Sequence, residues 1–425
     1  MTRSTPLRSA AVIAVGSELL GSTRLDTNSL FVSERLCSLG IELRSKSVVG
    51  DSRTELAAHL RHALERVDAV VLTGGLGPTD DDVTREVVAD VLGRPLEEDP
   101  AIVAHIQERF RRRGLTMPEV NRRQAQVPRG AVVLANPLGT APGLLIEHER
   151  GVIVLLPGPP RELQPMLDGL VAGALAERAS AERIYRTSLF VVGRSESHVE
   201  ERVQPIYSSW LRAIPPIETT VLATPGQIEL HLSVRTADPT LAADTLASAR
   251  RQLREALAPD VYSEDGRPLE EIVGRLLQER GLTIAAAESC TGGLLLSRLT
   301  DVPGSSAYVL GGVVAYANEL KTAFANVPAD LIDRHGAVSE PVAAAMAEGI
   351  RERTGAAVGI GVTGVAGPGG GTPQKPVGMV VLAAVLPGAA ARVRTVNLPG
   401  GRNQIKFNAT QAALDLVRRG LLASA

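Results

Sequence analysis

The chain has 425 residues, more than a single hydrophobic core normally serves, so we expect two or three domains. Hydrophobic residues make up 44% of the sequence and charged residues 22%, which excludes a disordered chain and is typical of a folded globular protein. The formal net charge of -2 excludes a general attraction to nucleic acid or to an anionic membrane. We therefore expect no membrane contact and no nucleic acid partner.

The two cysteines, Cys37 and Cys290, lie far apart in the sequence. This excludes a disulfide framework and a cysteine-rich zinc site, and it fits a reducing compartment. Residues 1–10 carry charge but lack the apolar core of a signal peptide, and runs such as Val152–Leu156 are far too short to span a bilayer. The sequence therefore predicts a cytoplasmic protein.

Lysine is rare in this chain, since only four of the 45 basic residues are lysine and the rest are arginine. The lysines are Lys46, Lys321, Lys375 and Lys406. Because arginine cannot release its proton near neutral pH, a lysine at a candidate site carries more information here than in most proteins.

Strand and helix patterns alternate through residues 1–175. Apolar runs predict strands at Ala10–Val15, Ile41–Val49, Ala69–Leu72, Ala131–Leu134, Leu144–Glu147 and Val152–Leu156. Amphipathic stretches predict helices at Thr27–Leu39, Arg53–Arg66 and Asp82–Leu92. The alternation predicts right-handed βαβ units around a largely parallel sheet, in which ligands bind beyond the carboxyl ends of the strands.

Two further domains are predicted after residue 180, a small α+β domain at 180–263 and a second α/β domain at 264–425. In the first, strands are predicted at Ile184–Val192, Thr219–Ala223 and Gln227–Arg235, and helices at Glu196–Tyr207 and Leu241–Ala258. In the second, strands are predicted at Thr283–Ala287, Ala307–Tyr316, Val358–Thr363, Val377–Val385 and Arg392–Asn397, and helices at Leu269–Arg280, Glu340–Thr354 and Asn403–Leu422. The predicted fold class is thus two α/β domains joined by a small α+β domain.

Ser289 stands at the junction between a predicted strand and a predicted helix, in a Glu-Ser-Cys-Thr-Gly-Gly segment. The strand end presents its hydroxyl, and Thr291, Gly292 and Gly293 offer backbone N–H groups that can hold a phosphate or a developing oxyanion. A simple helix cap is the structural alternative. Cys290 competes as the nucleophile, because a thiol at a helix N-terminus is easily activated.

A serine in this position needs a base, and Lys321 is the best candidate in the C-terminal segment. It follows a predicted strand that ends at Tyr316, so both side chains can reach the same sheet edge. A desolvated lysine with a lowered pKa can act as the base for a serine, whereas His335 is typical of a solvated surface residue. After the strand that ends at Thr363, the glycine-rich run 364–371 lets a ligand approach the backbone closely.

Two N-terminal loops also follow predicted strands, Gly16–Asn28 and Thr73–Asp82. Glycine-rich turns can cradle a phosphate, and clustered carboxylates bind a divalent cation that bridges to phosphate oxygens. The candidate metal ligands are Asp26, Asp80 and Asp81, and the candidate nucleotide-binding residues are Asn28, Gly74, Gly75, Gly77 and Thr79. For the acidic residues, a helix N-cap is the structural alternative.

Four C-terminal motifs resemble the CinA C-terminal family. They are Ala287–Gly293, Tyr316-x-Asn318-x-x-Lys321, Gly336–Ser339 and Thr363-Gly364-x-Ala366-Gly367-Pro368. The resemblance implies a nicotinamide-nucleotide amidohydrolase, which converts nicotinamide mononucleotide and water to nicotinate mononucleotide and ammonia without a cofactor. It also implies that Ser289 is the nucleophile and Lys321 its base, with Tyr316 supporting the lysine.

The same resemblance implies a set of substrate-binding residues. Thr363 is expected near the carboxamide or the phosphate, and Arg402 occupies the place of the basic residue that the family carries before its last helix. We expect Arg402 to contact the phosphate. The full expected set is Thr291, Gly292, Gly293, Asn318, Gly364, Ala366, Gly367 and Arg402.

The N-terminal loops, together with turns at Asn136–Gly143 and Leu156–Glu162, resemble the N-terminal domain of full-length members of this family. That domain is similar to molybdopterin-binding proteins. The resemblance implies hydrolysis of ADP-ribose to AMP and ribose 5-phosphate with a divalent metal cation, whose identity stays open. Ser17 stands where some members carry an aspartate, a departure that bears on any metal held by this loop.

The middle segment resembles the KH-like domain of the same proteins, but it lacks the Gly-x-x-Gly clamp with which KH domains hold RNA. We therefore expect a spacer or dimerisation role and a homodimer. Taken together, the sequence predicts a bifunctional enzyme of pyridine-nucleotide salvage. The alternative is a nucleotide- or pterin-binding protein in which one or both activities are lost.

Overall fold

The computed structural model describes residues 6–423, so residues 1–5 of the N-terminal stretch interpreted above lie outside the described residues. The chain forms two compact units. The first comprises the described residues up to Tyr185 together with Arg235–Ala242, and the second comprises Arg186–Val234 and the described residues from Ala243 onward. Most of the predicted α+β segment thus shares a unit with the C-terminal segment. No helix in the described part of the chain is long and apolar enough to cross a membrane.

The first unit is built from strands and helices that alternate along the chain. Its strands are β1 (Ser9–Val15), β2 (Glu42–Val49), β3 (Ala69–Thr73), β4 (Leu96–Glu98), β5 (Gln126–Pro128), β6 (Val132–Leu134), β7 (Gly143–His148) and β8 (Gly151–Leu156). Its helices are α1 (Asn28–Ser38), α2 (Arg53–Leu64), α3 (Thr84–Leu92), α4 (Pro100–Arg112) and α5 (Pro160–Ala172).

Six of these strands form one sheet in the order β2-β1-β3-β8-β7-β6. Strands β2, β1, β3 and β8 are parallel to one another. Strand β7 pairs antiparallel with β8, and β6 pairs antiparallel with β7. Apolar residues of α1 and α5 pack on one face of the sheet, and those of α2, α3 and α4 pack on the other. The largely parallel sheet covered on both faces is therefore confirmed, and the loops after β1 and β3 lie at its carboxyl edge.

Helix α4 and helix α5 were not predicted from the sequence. Helix α4 begins after Asp99, whose carboxylate accepts the N–H of Ala101 at 2.8 Å, and Pro100 stands in its first turn. An N-capping aspartate followed by proline is a helix-start signal. The charged run after Ile106 obscured the apolar stripe of this helix, which explains the omission.

The second unit holds the C-terminal segment and most of the α+β segment, of which the residues up to Tyr185 and Arg235–Ala242 belong to the first unit. The α+β segment contains β9 (Arg183–Val191), α6 (Glu196–Tyr207), β10 (Ile217–Thr224), β11 (Gln227–Thr236), α7 (Pro239–Leu257) and β12 (Val261–Ser263). Its four strands form a sheet in the order β10-β11-β9-β12, of which β12 was not predicted. The resemblance of this segment to KH-like domains stays a prediction.

The C-terminal segment forms another layered α/β structure. Its strands are β13 (Ile284–Glu288), β14 (Val309–Val314), β15 (Val358–Gly364), β16 (Met379–Val385) and β17 (Arg392–Asn397). Its helices are α8 (Leu269–Glu279), α9 (Leu294–Thr300), α10 (Asn318–Ala325), α11 (Ala329–His335), α12 (Glu340–Thr354) and α13 (Arg402–Ala423). The short helices α10 and α11 were missed.

The five strands pair in the order β14-β13-β15-β16-β17, with β13 parallel to both of its neighbours and the last two strands antiparallel. Helices α8, α9 and α13 cover one face, and α11 and α12 cover the other. Helix α12 lies unusually close to β15, since a Cβ at Gly361 would stand 2.2 Å from the carbonyl oxygen of Ala343. The three parallel strands place the ends of β13, β14 and β15 side by side.

A buried ionic cluster ties α13 to the α+β segment. Asp415 is fully buried and accepts hydrogen bonds from Arg418 and Arg419, both at 2.7 Å. Arg419 also reaches the buried Asp260, just before β12, at 2.8 Å. Because each carboxylate is paired and hydrogen-bonded, the charges are tolerated in the interior.

We expect Asp415→Ala to lower the free energy of unfolding of the second unit by about 3–5 kcal/mol, because Arg418 would stay buried without its partner. Denaturant unfolding followed by circular dichroism measures this loss. Asp330→Ala is the matched control, since Asp330 forms an exposed pair with Arg334 and its removal should change stability little. Equal losses in the two variants would contradict the structural role of the cluster.

Candidate active site

Ser289 follows directly on β13, a strand whose five residues are all buried. Its amide N–H donates to the carbonyl oxygen of Val362 on β15 at 2.9 Å, which anchors the residue at the sheet edge. The side chain is 8% exposed. The predicted junction between strand and helix is therefore present, with the serine at the boundary between core and solvent.

Glu288 holds the turn that carries Ser289. Its fully buried carboxylate accepts the N–H groups of Gly293 at 2.9 Å, Leu295 at 3.1 Å and Leu296 at 2.8 Å. These are the donors that the start of a helix leaves unpaired, and a carboxylate also suits the positive end of the helix dipole. The capping role of Glu288 was not predicted, although an acidic residue shortly before a helix is a capping signal.

This contact corrects the expected oxyanion or phosphate site. The N–H of Gly293 donates to the Glu288 carboxylate, and the N–H of Gly292 donates to the carbonyl oxygen of Ser289 at 3.1 Å, so neither is available to a ligand. Of the N–H groups in the turn, those of Cys290 and Thr291 are the ones for which the described residues show no acceptor in another residue. The Thr291 hydroxyl is fully buried and has no hydrogen-bond partner among the described residues.

The two candidate nucleophiles differ in the surroundings of their side chains. Cys290 is 5% exposed and packs in the hydrophobic core beneath the sheet. Burial raises the pKa of its thiol to about 12, outweighing the positive charges of Arg402 and Lys406. A thiol with this pKa is protonated at neutral pH and is a poor nucleophile. Ser289 is therefore the available group.

Lys321 lies on α10 and is only 1% exposed. Burial lowers the pKa of its ammonium, and nearby Cys290 and Glu319 oppose this shift more weakly. Its Nζ donates to the backbone carbonyl of Tyr316 at 3.0 Å rather than to the Ser289 hydroxyl. The lysine thus has the desolvated surroundings expected of a base. Its partner Tyr316 directly follows Ala315, whose N–H donates to the carbonyl oxygen of Glu288 at 2.8 Å, so Lys321 is held at the sheet edge where the serine turn begins.

Tyr316 and Arg402 form a bridge across the same edge. One guanidinium N–H of Arg402 donates to the Tyr316 hydroxyl at 3.1 Å, and another donates to the carbonyl oxygen of Gly367 at 2.6 Å. Tyr316 thus contacts Lys321 through its backbone carbonyl, whereas its phenol accepts a hydrogen bond from Arg402. Asn318 begins α10 and is exposed.

The other expected contacts on β15 are mostly structural. The Thr363 hydroxyl is buried and donates to the carbonyl oxygen of Ala337 at 2.8 Å, which joins β15 to the Gly336–Ser339 motif. Ala366 packs in the hydrophobic core. Gly364 packs against β16, where a Cβ would meet the Met379 carbonyl oxygen at 2.8 Å. The Ala366 side chain and the Gly364 Cα therefore make packing contacts.

In the first unit, the four N-terminal motifs converge on one cavity of about 780 Å³. The Asn28 amide donates to the carbonyl oxygen of Gly158 at 2.7 Å, which joins the first loop to the last turn. The Asn136 amide donates to the buried carboxylate of Glu162 at 2.9 Å and joins the Asn136–Gly143 turn to the same last turn. The predicted residues Asp26, Asn28, Gly74, Gly75, Gly77 and Asp81 line the cavity.

Two charged side chains shape the glycine loop after β3. Arg85 is buried and donates to the carbonyl oxygens of Leu76 and Gly77 at 2.6 and 3.0 Å, and its burial lowers the pKa of the guanidinium to about 10. Asp82 accepts the N–H groups of Gly77 and Thr79 at 2.7 and 2.9 Å. The burial of Arg85 could not be predicted from the sequence, because nothing in the pattern of its neighbours indicates it.

The three expected metal ligands do not form a preformed metal centre. The Asp26 carboxylate accepts the N–H of Ser29 at 3.0 Å at the start of α1. Asp80 is fully exposed and pairs with Arg123 at 3.2 Å, and neither Asp80 nor Thr79 lines the cavity. Within residues 6–423, no three His, Cys, Asp or Glu side chains are grouped closely enough to hold a metal ion. The protein side chains alone therefore do not fit a bound cation.

Asp51 brings a carboxylate next to Ser17. The Ser17 amide donates to the Asp51 carboxylate at 3.0 Å, and the Asp51 amide donates to the Ser17 hydroxyl at 3.2 Å. Asp51 also lines the cavity, so the segment after β2 contributes a carboxylate beside the first loop.

Comparisons with known proteins cover both units. The family model described as "CinA C-terminal domain" matches residues 266–421, and the one described as "Probable molybdopterin binding domain" matches residues 11–177. A CinA-like protein of Koribacter versatilis is 46% identical over 417 residues, which are 97% of this chain and 100% of that relative. A CinA-like protein of Acidobacterium capsulatum is also 46% identical, over 424 residues covering 97% of this chain and 100% of the relative.

Among solved structures, the protein CinA with unknown function from Thermoplasma acidophilum is 34% identical and covers 39% of this chain and 96% of its own, with a TM-score of 0.37. The identity and the nearly complete mutual coverage of the full-length relatives establish the family. The chain belongs to the CinA family, with a molybdopterin-binding-type domain in its first unit and a CinA C-terminal domain in its second.

Proposed function

We propose that the second unit is a serine amidohydrolase that releases ammonia from the carboxamide of nicotinamide mononucleotide. The observation that carries the proposal is the burial of Lys321 beside the turn that presents Ser289. Burying a lysine is unfavourable unless the folded protein uses its neutral form. A neutral amine next to a serine hydroxyl is the arrangement of a nucleophile with its base.

In this reaction the Ser289 hydroxyl oxygen attacks the carboxamide carbon while Lys321 Nζ takes the hydroxyl proton. The neutral amine can accept from the serine through its lone pair and still donate an N–H to the Tyr316 carbonyl, the bond that orients it. Lys321 then gives its proton to the departing nitrogen, which leaves as ammonia. A water molecule, deprotonated by Lys321, cleaves the resulting ester and frees nicotinate mononucleotide and the serine.

The negative charge that develops on the carboxamide oxygen needs donors that are already in place. The backbone N–H groups of Cys290 and Thr291 suit this role, because the other amides of the turn already have acceptors. Glu288 fixes the positions of these N–H groups by holding the end of the turn. The pyridine nucleotide itself is inferred from the resemblance of the Ser289, Lys321 and Thr363 motifs to the CinA C-terminal family.

We expect ammonia release from nicotinamide mononucleotide to rise with pH along a single ionisation, because only neutral Lys321 can take the serine proton. Burial lowers the pKa of this group, so the midpoint should fall below the ordinary lysine value of about 10.4. Lys321→Arg keeps the charge but not the releasable proton, and it should lower kcat by about 10²- to 10⁴-fold and remove this limb of the pH profile. Ammonia assays across the pH range measure both effects.

Lys406→Arg is unsuitable as a control here, because its side chain is close to the same turn. Lys375→Arg is better matched, since the Lys375 Nζ donates to the carbonyl oxygen of His335 at 2.9 Å and takes no part in the proposed reaction. Full activity with an unchanged pH profile in Lys321→Arg would exclude the lysine as the base.

The first unit supports a second candidate function, hydrolysis of ADP-ribose to AMP and ribose 5-phosphate. The specific observation is the 780 Å³ cavity, where glycine turns meet Arg24, Arg109, Arg113 and Arg161. Backbone N–H groups and guanidinium groups are suited to a diphosphate. The alternative is a nucleotide- or pterin-binding module without turnover, which the same cavity would also serve.

We expect ADP-ribose to bind the full-length protein in the presence of a chelator, because the described side chains do not form a metal centre and the affinity must come from the turns and arginines. Titration calorimetry measures this binding. Formation of AMP is expected only with an added divalent cation, as the family resemblance implies. Binding without AMP formation under any metal condition would favour the binding module, and AMP formation in chelator would contradict the metal requirement.

A further inference from the structure

The start of α9 is closed to an anionic ligand, although the sequence of the Ser289 turn suggested otherwise. Glu288 occupies its N–H groups with a buried carboxylate of the same sign as a phosphate. A nucleotide bound with its carboxamide at Ser289 must therefore find its phosphate partner elsewhere. The cationic side chains near the turn are the available partners for the phosphate.

Lys406 is a cation close to the turn. Its Nζ stands 3.5 Å from the position that a Cβ at Gly292 would occupy, and Gly292 is three residues after Ser289. Gly292 has a φ of 63°, in the left-handed region, and it leaves the space between its backbone and the ammonium free of side-chain atoms. Lys406 lies one helical turn after Arg402 on α13, so the two cations share a face.

The charge of this pair is not neutralised within the described part of the chain. Arg402 donates to two neutral oxygens, the Gly367 carbonyl and the Tyr316 hydroxyl. No carboxylate of residues 6–423 lies within ion-pair distance of Lys406, which is partly buried. The position of Lys406 over Gly292 and the hydrogen bond of Arg402 to the Tyr316 hydroxyl place both cations at this edge of the sheet. Two cations without a carboxylate partner in the described part of the chain therefore lie at the edge that carries Ser289.

We propose that Lys406 is the residue that binds the phosphate of the nucleotide and thereby selects nicotinamide mononucleotide over the uncharged nicotinamide riboside. The proposal rests on the amidohydrolase function proposed above. Lys406 supplies a compact charge over Gly292, while Arg402 holds Tyr316 and the glycine-rich loop in place. Lysine is a common partner for a terminal phosphate, which it meets as a point charge.

The test compares Lys406→Met, Lys406→Arg and Lys375→Met in the full-length protein. Lys406→Met should raise the KM for nicotinamide mononucleotide by about 10- to 100-fold, the loss of one charge-assisted contact, and leave kcat nearly unchanged. Its kcat/KM for nicotinamide riboside should match that of the wild type, because this substrate has no phosphate. Lys406→Arg should recover most of the affinity, and Lys375→Met should behave as the wild type.

Three results would overturn this role. An unchanged KM in Lys406→Met, with normal turnover by the wild type, would exclude Lys406 as the phosphate-binding residue. The proposed amidohydrolase function would not be affected by that result. Equal losses of kcat/KM for the nucleotide and the riboside in Lys406→Met would assign Lys406 a structural role. A rise in KM for the nucleotide alone in Lys375→Met would indicate that Lys375 binds the phosphate. If the wild type releases no ammonia, the proposed function fails, and calorimetric binding of nicotinamide mononucleotide to the wild type and to Lys406→Met still decides the phosphate contact.

Discussion

The interaction between Glu288 and the start of α9 sets the geometry on which the candidate active site depends. A carboxylate at the end of a fully buried strand is unfavourable unless its charge is compensated, and three backbone N–H groups compensate it here. The bond closes the turn, directs Cys290 into the core and leaves Ser289 at the boundary with solvent. It also explains why a phosphate must be held by side-chain cations and not by the helix.

The same physical device recurs in the first unit with the opposite charge. Arg85 is buried beneath the glycine loop after β3 and donates to two carbonyl oxygens of that loop. In both units a buried charged side chain satisfies backbone groups that a tight turn leaves unpaired, and the outer side of the turn faces the candidate site. Lys321 differs, because its single carbonyl contact does not offset its burial. Since its pKa is lowered on folding, the unfolded chain binds more protons, and the stability contribution of Lys321 improves as pH rises toward the pKa of the unfolded form.

The helices and strands whose apolar residues recur with a regular period could be predicted from the sequence. Helices α6 and α12 have the predicted bounds, and the ends of β13, β14 and β15 lie together as parallel pairing requires. What local patterns could not supply was the identity of side chains that act across the fold. The contacts of Lys406 with the turn and of Arg85 with its loop depend on tertiary packing. The metal ligands were wrongly grouped because Asp80 is adjacent to Asp81 in sequence but turns outward to Arg123.

We propose that Ser289, and not the adjacent Cys290, attacks the carboxamide of the nucleotide. The most direct test is rapid acid quenching of the protein during turnover of nicotinamide mononucleotide, followed by mass spectrometry of the intact chain and of its peptides. We expect a nicotinate-nucleotide ester on Ser289 in the wild type and in Cys290→Ala, and none in Ser289→Ala. An adduct on Cys290, or steady ammonia release by Ser289→Ala, would contradict it.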